Sequence, residues 1–111
     1  MANKHSIMRI SESKKSSYTF PVIFDYHLDG ITVLFPDLPG VLTYGFNADH
    51  AYRNAQEALG LHIVGYEEEH EIIPEPSQLL SIQLSRHQAL AVIHVSMPPI
   101  RARIRKNKFS F

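Results

Sequence analysis

Two alternating runs separated by Asp29-Gly30 commit the front of the chain to a β-hairpin. Phe20, Val22, Phe24, Tyr26 and Leu28 alternate with Thr19, Pro21, Ile23, Asp25 and His27; Ile31, Val33 and Phe35 alternate with Thr32 and Leu34. A period of two sends successive side chains to opposite faces, so each run is a strand with one buried face. Asp-Gly between such runs suits a type I′ turn, which needs positive φ at both central positions. Pro21 predicts that the first strand lies at a sheet edge, or that the proline sits near its start, because proline donates nothing to a ladder.

Further along, Pro36-Asp37-Leu38-Pro39-Gly40 excludes regular structure and makes a rigid corner, on which Leu38 is expected to be exposed. Val41–Phe46 reads as a third strand. Asn47 is placed to cap a helix and Asp49 suits its positive end. Ala48, Ala51, Ala55, Ala58, Leu59, His62, Ile63 and Tyr66 then form one apolar stripe at helical spacing. Gly65 predicts fraying before Glu67-Glu68-Glu69. Pro74-Glu75-Pro76-Ser77 is a loop, and Leu79–Leu84 fits either a short strand or irregular chain. Ala89–Met97 is apolar on both faces, the pattern of a central strand. Pro98-Pro99 ends it, and Ile100–Lys108 suits a short basic helix starting on Pro99. The fold class is α+β: an antiparallel sheet in β-β-β-α-β order with one helix packed on a face.

Charge divides the chain. Residues 1–17 carry a net +3, residues 18–80 a net −9 with Arg53 the only base, and residues 81–111 a net +6 with no acid. An acidic body attracts basic partners, and a basic tail attracts acidic ones. The 111 residues, 44% hydrophobic, suffice for one modest core. No apolar run is long enough to span a membrane, and Met1–Ser17 lacks the apolar region of a secretory signal. The chain has no cysteine, which excludes disulfides, thiolate metal sites and cysteine nucleophiles. None of the seven histidines is paired at the i, i+4 spacing of a zinc helix. No metal, cofactor or catalytic group is therefore expected.

The segments Phe20-Pro21-Val22-Ile23-Phe24-Asp25-Tyr26, Asp29-Gly30-Ile31, Phe35-Pro36-Asp37-Leu38-Pro39-Gly40 and Ile73-Pro74-Glu75-Pro76-Ser77, in this order and with an Ala-rich helix between the last two, resemble the HicB family of antitoxins. The resemblance covers roughly residues 18–99. It implies a partial RNase H-like fold, a non-enzymatic cytoplasmic protein, and a partner that is a small basic mRNA-cleaving toxin, HicA. Relatives usually continue into a C-terminal domain that binds operator DNA, so such binding is expected only if the native protein has one. The resulting domain reading is a flexible basic arm at 1–17, a toxin-binding domain at 18–99, and at 100–111 a basic linker or the start of a truncated C-terminal region.

Charge and expected exposure make Asp25, Asp37, Leu38, Glu57, Glu67, Glu68 and Glu69 the candidate toxin contacts. Arg101, Arg103, Arg105, Lys106 and Lys108 are candidate phosphate contacts. Homodimerisation is expected through an exposed edge strand, the one after Pro21. The alternatives are a weak metal-dependent nuclease using Asp25, Asp37 and Glu57, or a nucleic-acid-binding module acting through the basic tail.

Overall fold

A computed structural model describes residues 14–108. The order is β1 (Ser17–His27), β2 (Gly30–Leu34), β3 (Leu42–Gly45), α1 (Ala48–Glu68), a 3₁₀ turn at Leu79–Ser81, β4 (Gln88–Ser96) and α2 (Met97–Lys108). The strands form one antiparallel sheet in the order β3-β2-β1-β4. The expected α+β class and β-β-β-α-β order are present, with α2 as a second helix. Most of the predicted basic arm lies outside the described residues. Its last residues are built in: the Ser16 carbonyl accepts from Met97 N–H, and Ser17 opens β1.

The alternation works as read. Phe20, Val22 and Phe24 of β1, Ile31 and Val33 of β2, and Ile93 and Val95 of β4 share the face that α1 covers with Ala51, Ala55, Leu59 and Ile63. All are buried. The strand–helix contact is close enough that a Cβ on Gly45 would run into the backbone of Ala51. Asn47 caps α1, its side chain accepting from His50 N–H at 2.8 Å. The helix does not fray at Gly65. It continues to Glu68, because Tyr66 packs against the core and Glu67 is held by Arg101 of α2.

Four local expectations are corrected. The hairpin turn is Leu28-Asp29, since His27 pairs with Gly30, and neither turn residue has positive φ, so it is not type I′. Gly30 itself takes φ +152°, with the Tyr44 ring where a Cβ would be. β1 is an interior strand. Pro21 is tolerated there because the β2 ladder stops at Ile23, leaving no neighbour on that side to ask for an N–H. β4, read as central, is the edge strand. Leu38 is fully buried in the core, held by a corner in which Leu38 N–H donates to the Phe35 carbonyl and Val41 N–H to the Leu38 carbonyl.

The expected short basic helix is present across the described part of the tail. From Met97 it forms α2, with Pro98 and Pro99 in the first turn, where a missing N–H costs nothing. Ile100 and Ile104 pack against the core, and Ile100 sits over Gly60 of α1.

Candidate functional site

The acid-based toxin contacts do not come together. The Asp37 carboxylate accepts from Ser77 N–H at 2.9 Å and from Ser77 Oγ, tying the 73–77 loop to the proline corner. Glu57 is half-exposed and paired with Arg103 Nη2 at 2.6 Å. The Glu67 side chain is only 7% exposed and takes a bidentate grip from Arg101, at 2.7 and 3.1 Å. Asp25 lies on the sheet face away from α1, 3.7 Å from His27 Nε2. Glu68 and Glu69 are exposed at the far end of α1, roughly 30 Å from Asp49 for a helix of this length. The geometry therefore withdraws Leu38 and Glu67 from any docking face and gives Asp37 a structural task.

The same geometry separates the carboxylates of the nuclease alternative. Asp37 is engaged by Ser77 and Glu57 by Arg103, and among the described residues no three His, Asp or Glu side chains converge as a metal site would require. Of the candidate phosphate contacts, Arg101 and Arg103 are ion-paired to α1, while Arg105 and Lys106 stay exposed. Lys108 closes α2, and its side chain lies outside the described residues.

A coherent surface does form, at the hairpin-tip end of the sheet. A groove there is lined by Tyr26, Leu28 and Asp29 of the hairpin and by Phe46 and Ala48 at the entry to α1. Leu28 is fully exposed, Phe46 is 73% exposed and Tyr26 45%. Tyr44 and Phe46 meet edge to face at 5.8 Å, and Phe46 stacks on His50 at 5.0 Å. His50 Nδ1 in turn accepts from Phe46 N–H at 2.9 Å, so the ring is held in place. The Tyr44 hydroxyl donates to the Asp29 carbonyl and braces the turn. Asp29 and Asp49 border this end, and both are exposed; Asp49 shares its charge with Arg53, one helical turn on, at 3.6 Å. Rigid aromatics with an acidic rim suit a protein partner carrying positive charge.

Sequence reasoning missed Tyr26, Leu28 and Phe46 as a set. One signal was available: an apolar residue at a tight turn, such as Leu28, has no core to enter. Another environment stands out at the opposite end. There the Tyr18 hydroxyl lies near Glu67; burial, and then the Glu67 charge, raise its pKa above the usual tyrosine value.

Fold and surface together define a small α+β domain, an antiparallel four-stranded sheet covered on one face by helices. Residues 20–110 match the HicB_like antitoxin family of bacterial toxin–antitoxin systems, and the chain belongs to that family. The match runs through α2, beyond the boundary at residue 99 expected from the sequence. The chain is 40% identical over 58 residues to Antitoxin HicB 2 of Photorhabdus laumondii, covering 52% of this chain and 42% of that protein. It spans less than half the length of the curated relatives it matches, 45% and 42%. Its fold is similar to the N-terminal domain of the Burkholderia pseudomallei antitoxin HicB (TM-score 0.57, 25% identity, covering 68% of this chain and 95% of that one). It is also similar to a chain of the HicA3 and HicB3 toxin–antitoxin complex (TM-score 0.60, 20% identity, 71% and 99% covered). Among the described residues, no helix is long and apolar enough to cross a membrane.

Proposed function

We propose that this chain neutralises a small basic mRNA-cleaving toxin of the HicA type by binding it and covering its RNA-binding surface. It acts in the cytoplasm and without catalysis of its own. Family membership and the likeness to a chain of a HicA–HicB complex support the role. The observation that carries the site is the exposed Tyr26, Leu28 and Phe46 cluster beside Asp29 and Asp49. Aromatic and leucine anchors supply affinity once desolvated. The acids steer a cationic partner and fix its orientation. Asp25, on the adjoining sheet face, and the exposed Glu68 and Glu69 contribute to the long-range field rather than to this contact.

The test is an mRNA-cleavage assay with the toxin encoded beside this gene, titrated with the chain. Wild-type chain is expected to stop cleavage at a fixed ratio. The double variant Leu28→Lys/Phe46→Lys, changed only at exposed positions, is expected to need at least about tenfold more protein, whereas Glu69→Lys is expected to behave as wild type. Equal potency of the double variant and wild type would remove the site. An uninhibited toxin would remove the function.

A further inference from the structure

We propose that Asp29 is a self-modification site: its side chain closes on the Gly30 nitrogen to a succinimide, which reopens as isoaspartate and ages the tip. The chain has four aspartates, and only Asp29 is followed by glycine. Tyr26 follows Asp25, Leu38 follows Asp37 and His50 follows Asp49. A side chain on the next residue crowds the nitrogen that must attack, and glycine has none.

The fold holds this pair in place. Asp29 is exposed at the hairpin turn, on the wall of the tip groove. Gly30 takes φ +152°, and a Cβ there would run into the Tyr44 ring and hydroxyl, so no other residue can stand at 30 unless Tyr44 moves. The Tyr44 hydroxyl donates to the Asp29 carbonyl, the oxygen of the same peptide bond whose nitrogen attacks. Drawing electrons toward that oxygen makes the Gly30 N–H a better acid. Gly30 pairs with His27 as the last rung of the ladder. A terminal rung opens at far lower cost than the whole domain, which frees the nitrogen without unfolding. The other aspartates lack this combination: Asp25 lies inside β1, Asp37 is held by Ser77, and Asp49 sits in the first turn of α1.

The steps balance with water as the only co-reactant. The Gly30 nitrogen bonds to Cγ of the protonated carboxyl, whose hydroxyl departs as water with the amide proton. Water then adds to the former backbone carbonyl carbon and breaks its bond to the nitrogen. The chain now runs through Cβ and Cγ, longer by a methylene carbon. The carbonyl that Tyr44 held has become a free carboxylate. A two-residue turn has no slack for the extra carbon, so Leu28 shifts relative to Phe46 across the groove. The effect on binding rests on the tip being the toxin contact.

The full chain is incubated at neutral pH and body temperature in heavy-oxygen water, then digested and mapped by mass spectrometry. Circular dichroism confirms that it stays folded. Asp29 is expected to take up heavy oxygen and to accept a methyl group from an isoaspartyl methyltransferase. Asp25, Asp37 and Asp49 are expected to take up none. Asp29→Glu keeps the charge but needs a larger ring, and is expected to stay unlabelled. Tyr44→Phe, without the donor, is expected to convert more slowly. In the mRNA-cleavage assay, aged wild-type chain is expected to lose potency in step with conversion, the isoaspartate form being at least about tenfold weaker. Asp29→Glu is expected to hold its own starting potency through the same incubation. A folded chain without label at Asp29 would overturn the proposal, as would equal labelling at Asp25 or Asp49. Equal or faster conversion of Tyr44→Phe would overturn the role given to its hydroxyl, and conversion with undiminished potency the effect on the tip. Labelling of a chain that fails to inhibit the toxin even when fresh would remove the toxin contact and leave the modification standing.

Discussion

Replacing Arg101 with alanine tests how α2 is fastened to the domain. Arg101 reaches both carboxylate oxygens of Glu67, at 3.1 and 2.7 Å, and donates to the Lys15 carbonyl at 2.7 Å. The two side chains are 19% and 7% exposed. Removing one partner of a fully buried ion pair costs about 3–5 kcal/mol, because the other charge is left without compensation. Arg101 keeps some contact with water, so the expected loss is at the lower end, about 3 kcal/mol. Glu67→Gln keeps the shape and most of the hydrogen bonding, and about 2 kcal/mol is expected. The double variant should cost less than the two single losses added together, with a coupling of about 2 kcal/mol. Arg103–Glu57 is the internal control. Both of its side chains are 47% exposed, and solvent screening limits Arg103→Ala to about 0.5 kcal/mol. Urea unfolding followed by circular dichroism gives all of these values. If Arg101→Ala costs no more than Arg103→Ala, or the cycle shows no coupling, α2 is not pinned by this pair.

Leu38→Ala is expected to destabilise by about 3 kcal/mol, as for a buried leucine leaving a cavity, whereas Leu28→Ala leaves the urea midpoint unchanged. Gly45→Ala is expected to cost about 3 kcal/mol or more, since α1 must move off the strand to admit a methyl group; loss of helical signal in the same titration reads it. Tyr18 retains its proton above the usual tyrosine value, so the unfolded chain ionises first, and the stability this group contributes is full below about pH 10 and falls as pH rises through the folded value. Tyrosinate absorbance should show Tyr18 titrating later in wild type than in urea, and Tyr18→Phe should flatten the alkaline decline of the urea midpoint.

The strands, the hairpin, and the start and cap of α1 were legible in the residues, because each rests on spacing within one segment; the family was legible from four such segments in order, while the end of α1 was not. Alternation told which side chains of Phe20–Phe35 share a face, and Asn47 announced the helix by its own side chain. The candidate site was less legible. Tyr26, Leu28 and Phe46 come from separate segments, and their shared exposure depends on where the hairpin tip ends relative to α1.

Spacing says which residues lie together on a strand, not what covers them. The pattern of β4 promised two buried faces, but its edge place depends on which strands pair. Composition counted acids in the body and bases in the tail as separate blocks. Folding set Glu57 and Glu67 against Arg103 and Arg101, residues 46 and 34 positions away, which buried the Glu67 charge and left Glu57 half-exposed beside a compensating base. Leu38 passed from expected contact to core for the same reason. Burial and pairing are relations between distant segments, and a local pattern carries no record of which segment will arrive.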